Sequence, residues 1–102
     1  STNTLAVMFS AESATDLAIV AATRLIMFGE NAAVNRQQIL DEMRTAPAYF
    51  KKSYVNNHSN TLKVLVKADR LRLVANDSYT LSPKERKAIE DRIKKANADD
   101  AG

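Results

Sequence analysis

Two hydrophobic rhythms run along this chain, and the point where one gives way to the other marks its most informative stretch. From Val55 the apolar positions recur as Val55, Leu62, Leu65 and Val66, a spacing that gathers them on one face of a helix, while Asn56, Asn60, Lys63 and Lys67 fall opposite. The period then drops to two. Leu71, Leu73 and Ala75 alternate with Arg70, Arg72 and Val74, and beyond Asn76, Asp77 and Ser78 the pattern resumes with Tyr79 and Leu81 against Thr80 and Ser82. A helix over about 56–68 followed at once by a hairpin is expected. A two-residue turn at Asn76 and Asp77 would set Leu73 opposite Thr80 and mix polar with apolar on both faces. A loop of about three residues pairs Leu73 with Leu81 instead, so that Leu71, Leu73, Tyr79 and Leu81 share a buried face and Arg70 and Arg72 lie open.

Upstream the patterning is helical. Ser13 and Asp16 form an N-cap pair, and Leu17 to Phe28 is apolar almost all the way round, with Asp16, Thr23 and Arg24 as its polar stripe and Gly29 as its stop. Such a helix is expected at the centre of the core. Thr4 to Phe9 is too short for periodicity to separate a strand from a helical turn; a strand or arm packed on the core is expected, with a surface for a second subunit as the alternative. Ala32 to Val34 reads as a short first strand. Asn35 and Gln38 make a second capping pair, opening a helix to about Arg44 with Ile39, Leu40 and Met43 inward, and Thr45 to Pro47 ends it.

A separate helical turn from Pro47 to Lys52 is expected next, with Tyr49, Phe50 and Tyr54 anchored to the core; stacking on bases is the sharper alternative for these aromatics. Ser82, Pro83 and Glu85 open a last helix whose apolar strip, Ile89, Ile93 and Ala96, is narrow. A strip so thin packs weakly on its own domain or pairs with a copy of itself, which makes a homodimer through the first or the last helix one of two outcomes. The chain thus divides into an N-terminal arm over 1–12, a domain over 13–82, a C-terminal helix over 83–96 and a tail over 97–102 expected to be disordered.

Charge sharpens this picture more than composition does. The net charge is only +3, but residues 1–50 hold three basic and five acidic side chains, residues 51–72 hold six and one, and residues 73–102 hold six of each. The surplus coincides with the basic helix and the first hairpin strand, where a phosphate-binding surface would need it. Length, at 102 residues, allows one domain, and 45% apolar content with two glycines and two prolines argues for a folded, mostly helical one. There is no cysteine, which excludes disulfides and thiolate metal sites and makes a reducing, cytoplasmic setting the expectation. Leu17 to Ala22, the longest apolar stretch, is too short to span a bilayer and follows no basic residue, so neither a membrane span nor a signal peptide is expected. A chain that begins at Ser1 reads as processed or as a fragment.

The run TLKVLVKADRLRLVANDSYTLSPKE resembles the second half of many bacterial winged helix-turn-helix domains, in which a recognition helix ends in a leucine, a few polar residues lead into a turn, and a hairpin closes in Tyr-x-Leu-Ser/Thr-Pro. The resemblance covers about half the chain, residues 35–85, and is to the superfamily rather than to one family. Asp69 stands where many members carry glycine after the recognition helix. The fold it implies is mainly α with a small β hairpin, a three-helix core and a C-terminal helix. The implied function is binding of double-stranded DNA, most commonly in transcription regulation, with the helix in the major groove and a short wing at 70–82 along the backbone. Lys51, Lys52, Asn56, Asn57, Asn60, Lys63, Lys67, Arg70 and Arg72 are the candidate contacts.

Enzyme chemistry finds few candidates. His58 is the only histidine, with no nucleophile, second ligand or orienting carboxylate at a recognisable spacing, so capping or packing is expected of it. The only glycines, Gly29 and Gly102, exclude a glycine-rich phosphate loop. Asp41 and Glu42 are adjacent and diverge by about 100° on a helix, so no metal or cofactor is expected. Because winged helices also serve as protein-binding modules, an adaptor domain of a larger replication, partition or regulatory protein is the alternative, and single-stranded or RNA binding through the tyrosines a third reading.

Overall fold

A computed structural model describes residues 1–101. The described chain is mainly helical and carries one antiparallel two-stranded hairpin. In order it runs α1 (Thr2–Met8), α2 (Ala14–Thr23) continued without a break by a π-helical turn (Arg24–Phe28), α3 (Arg36–Arg44), α4 (Ser53–Asn56), α5 (His58–Lys67), β1 (Leu71–Ala75), β2 (Ser78–Leu81) and α6 (Pro83–Ala101). No described helix is long and apolar enough to cross a membrane.

Helix α2 is the centre on which the rest is laid. The Ser13 hydroxyl accepts the Asp16 N–H and fixes its start, and every residue from Leu17 to Thr23 is buried, as an all-round apolar helix requires. Helices α1, α3 and α5 and strand β2 all pack on it. Thr23 does not belong to a polar stripe, contrary to the sequence pattern. Its hydroxyl donates to the Ile19 carbonyl at 2.7 Å, so the helix itself satisfies it and it sits in the core. Gly29 does end the helical run, but at a φ of −90° it is not in the left-handed region; that conformation falls to Glu30 at 57°. What demands glycine is proximity, because a Cβ there would stand 2.6 Å from the Leu25 carbonyl oxygen.

The expected N-terminal strand or arm is a helix. Ser1 caps it by accepting the Thr4 N–H, and the helical period sends Thr2, Leu5 and Ala6, with Phe9 just beyond, into the core while Val7 lies outside. Ser10, with φ at 53°, closes it, and the Ala11 N–H returns to the Ala6 carbonyl at 3.0 Å. Thr2 also donates its hydroxyl to Glu42, tying α1 to α3. In α3 the capping box is complete: Asn35 accepts the Gln38 N–H and Gln38 accepts the Asn35 N–H, with Ile39, Leu40 and Met43 buried as the period requires. The expected first strand shrinks to Val34, which exchanges two backbone bonds with Tyr79 at 2.9 and 2.7 Å.

Two further boundaries move. Within the expected turn at 47–52, the Tyr49 and Phe50 N–H groups both return to the Ala46 carbonyl, at 2.9 and 3.0 Å, closing one hydrogen-bonded turn over 47–49 but no regular helix, and the short helix falls later, at α4; the single helix expected from Asn56 is interrupted at Asn57, whose carbonyl serves the Thr61 N–H and hydroxyl and starts α5 afresh. Helix α6 does not fray at Asn97 but continues to Ala101, since Ala96, Ala98 and Ala101 favour helix and no glycine or proline intervenes. Gly102, the end of the expected disordered tail, lies outside the described residues. Ile89 is buried, while Ile93 and Ala96 are half-covered, so the narrow strip is as the pattern gave it.

The hairpin keeps its expected phase but not its register. Leu71 pairs with Leu81, Arg72 with Thr80 and Leu73 with Tyr79, a slip of two residues from the Leu73–Leu81 pairing. The turn is the two-residue one, Asn76 and Asp77, and an irregularity at Val74 restores the phase that a regular two-residue hairpin would have broken. Asp77 takes the left-handed conformation, with φ at 49°. The shift carries Leu73 outward past the body of the domain: Leu71 and Leu81 are buried and Tyr79 half-buried, but Leu73 is 54% exposed.

Candidate nucleic-acid interface

Helix α5 presents two opposed faces. Inward are His58, Thr61, Leu62 and Leu65; outward, Asn60, Lys63 and Lys67 follow one another at helical spacing, all exposed. The inward face differs from the hydropathy pattern. Val55 and Val66, expected inside, are 37% and 36% exposed, and two polar residues take their place. Each of these has an internal partner. The Thr61 hydroxyl donates to the Asn57 carbonyl at 3.0 Å, and His58 Nε2–H donates to the Arg36 carbonyl at 2.8 Å. That bond fixes the proton on Nε2 and leaves Nδ1 a buried acceptor without a partner among the described residues. Burial holds the His58 pKa below the ordinary imidazole value; the bond to Arg36 opposes this, and the charges of Arg36 and Arg44 reinforce it.

The rest of the basic segment surrounds α5 unevenly. Lys51 and Lys52 are exposed just before α4, and Asn56 and Asn57 are exposed where α4 meets α5. Among the described residues, Lys51, Lys52, Lys63 and Lys67 take part in no ion pair, whereas the pairs that do form engage Arg44, Arg70, Arg72 and Lys87. Arg70 departs from expectation. Instead of lying open it turns to α6 and makes a two-pronged bond with Glu85, Nε to Oε1 at 3.0 Å and Nη2 to Oε2 at 3.2 Å, in a part-buried setting. It precedes β1, so strand alternation does not govern it. Arg72 is exposed as expected but bonds Asp69 at 3.2 Å, the residue whose left-handed φ of 56° ends α5 where glycine would be usual.

Arg36, which the sequence pattern did not single out, stands where three elements meet. Its N–H donates to the Asp77 carboxylate at the hairpin turn at 3.0 Å, its carbonyl accepts from His58, and its guanidinium donates to Ser59 on α5. The start of α3 is therefore locked to both the hairpin tip and α5. The local signal was present, since Asn35 as a cap makes Arg36 the first helical residue, but its partners lie far along the chain. Tyr49, Phe50 and Tyr54 are half-buried against the core, Phe50 meeting Tyr54 edge to face at 5.9 Å and Arg44 lying over the Phe50 ring at 5.9 Å. Comparison of the chain with family models, curated proteins and solved structures returns no match.

Proposed function

We propose that this chain is a winged helix-turn-helix domain that binds double-stranded DNA, with α5 entering the major groove. The observation that carries this reading is the outward row on α5: an amide and two lysines at helical spacing, exposed and in no ion pair among the described residues, on a helix whose other face is fixed to the core. Amides pair with adenine edges, and ammonium groups with guanine or phosphate. The order of elements supports it too. A helix (α2), a single bridging strand residue (Val34), two further helices (α3 and α5) and a hairpin whose second strand pairs with that bridge are the parts such a domain uses. Asn56, Asn57, Lys51 and Lys52 extend the contact surface toward the start of the helix, and Arg36 holds α3, α5 and the hairpin in register beneath it. Transcription regulation is the commonest use of such a domain.

Fluorescence anisotropy with a mixed-sequence duplex tests this directly. Binding through about four phosphate contacts gives a log–log salt slope of about −3 to −4, from roughly 0.9 counterions released per contact. Absence of duplex binding even at low salt would leave the protein-adaptor reading as the better one.

A further inference from the structure

Three helical segments bound a groove on the side of the domain formed by α1 and α6. Leu5 and Met8 of α1, Arg24 and Phe28 of the π-helical turn, and Ile93 and Asn97 of α6 line it, each pair at helical spacing on its own element, around a volume of about 490 Å³. Leu5 is buried and Ile93 half-buried, so the floor is apolar and closed; Met8 and Phe28, 36% and 50% exposed, stand at the mouth. Arg24 is half-buried, is the one charged side chain in the lining, and takes part in no ion pair among the described residues. An apolar lining of this size with a single convergent polar group is the usual makeup of a small-molecule site. The wide turn that supplies Arg24 and Phe28, closed by the bond from the Gly29 N–H to the Arg24 carbonyl at 2.9 Å, is a backbone form that recurs at functional sites.

We propose that this groove binds a small monocarboxylate with an apolar body, such as a medium-chain fatty acid, with its carboxylate on Arg24 and its chain against Leu5, Met8, Phe28 and Ile93. Charge selects the head group. A guanidinium takes a carboxylate through two parallel bonds and matches its single charge, whereas a phosphate monoester carries about 1.5 to 2 negative charges and would call for a second cation that the lining lacks. A second copy of the chain fits less well. In a two-fold pair the same patch meets itself, and Arg24 would be covered with no acidic side chain in the lining to neutralise it. This inference does not rest on DNA binding, because the groove includes none of the residues assigned to the duplex.

Titration of the full chain with octanoate and with octanamide, its uncharged analogue, tests this. Octanoate is expected to bind saturably at a single site, to raise the melting midpoint, and to shift the amide resonances of α1 and the π-helical turn; octanamide should bind about tenfold more weakly. Arg24→Gln should lower octanoate affinity about tenfold, to the level of octanamide, and leave octanamide binding unchanged, a selective loss that an unstable fold would not produce. Met8→Trp, at an exposed position, fills the mouth and should weaken both ligands in a folded domain, which keeps the proposal open to refutation if the Arg24 variant folds poorly. Equal binding of octanoate and octanamide by the parent, or binding of neither, overturns the proposal, as does octanoate binding that both variants leave intact. Self-association of the parent, abolished by Phe28→Glu, would assign the groove to a second copy, and pelleting with phosphatidylglycerol vesicles that Arg24→Gln abolishes would assign it to a membrane surface; either result overturns the proposal.

Discussion

His58 is held inside the domain by one hydrogen bond, with its second nitrogen unpaired, and the consequence is a dependence of stability on pH. Its folded pKa is depressed, first by burial, so the unfolded chain takes up a proton that the folded chain resists. Its contribution is therefore complete above the ordinary imidazole pKa, about 6.5, and is lost progressively as pH falls below it toward the folded value. The melting temperature should drop over that acid window, and His58→Gln, which keeps a donor for the Arg36 carbonyl but cannot titrate there, should flatten the drop. Equal acid sensitivity in the two proteins would assign the effect to other groups. A packing role for this residue was legible in the sequence because nothing near it could form a catalytic or metal site. Its partner, Arg36, was not legible, because that contact joins residues 22 positions apart.

Helix α5 shows how periodicity succeeds and where it slips. It places Leu62 and Leu65 inside and Asn60, Lys63 and Lys67 outside, but hydropathy scores His58 and Thr61 as solvent-facing although each has an internal partner, and this draws Val55 and Val66 inward on paper. Two truncations separate the faces. Leu62→Ala should cost about 2–5 kcal/mol in urea unfolding, the range for an enclosed leucine, whereas the half-open Val66→Ala should cost under about 1 kcal/mol. Similar costs at both positions would show the helix rotated toward the hydropathy phase. In the hairpin, alternation fixed which side chains share a face but not how far the strands slide; an irregularity at Val74 adds a residue that no period of two reveals. Capping signals fared best. Ser13, Asn35 and Ser82 each accept the N–H three residues on, because a cap is a local bond between near neighbours. For the same reason the ion pair that removes Arg70 from the open face, made with a residue 15 positions away, left no local trace.

Across the whole molecule, charge is divided between groups that hold elements together and groups that face outward. Arg70 clasps α6 through Glu85, and Arg92 lies over the Phe9 ring at 5.1 Å while donating to the Phe9 carbonyl, so that α6 is tied to the hairpin base at one point and to α1 at another. Lys63 has no such duty: it is exposed, is in no ion pair among the described residues, and lies in the outward row between Asn60 and Lys67. Reversing its charge should therefore leave folding almost untouched, with a stability change within about 0.5 kcal/mol. Duplex binding should weaken sharply all the same, because a phosphate or base contact is lost and a carboxylate faces the DNA backbone in its place; the salt slope should fall by about one. Lys95→Glu makes the same chemical change on an exposed site of α6, away from α5, and so separates a local contact from a loss of overall positive charge. Lys63→Glu should reduce affinity well beyond Lys95→Glu at equal ionic strength. If the two variants lose affinity equally, the duplex responds to net charge and not to α5; if Lys63→Glu binds like the parent, the outward row is not the surface that meets DNA.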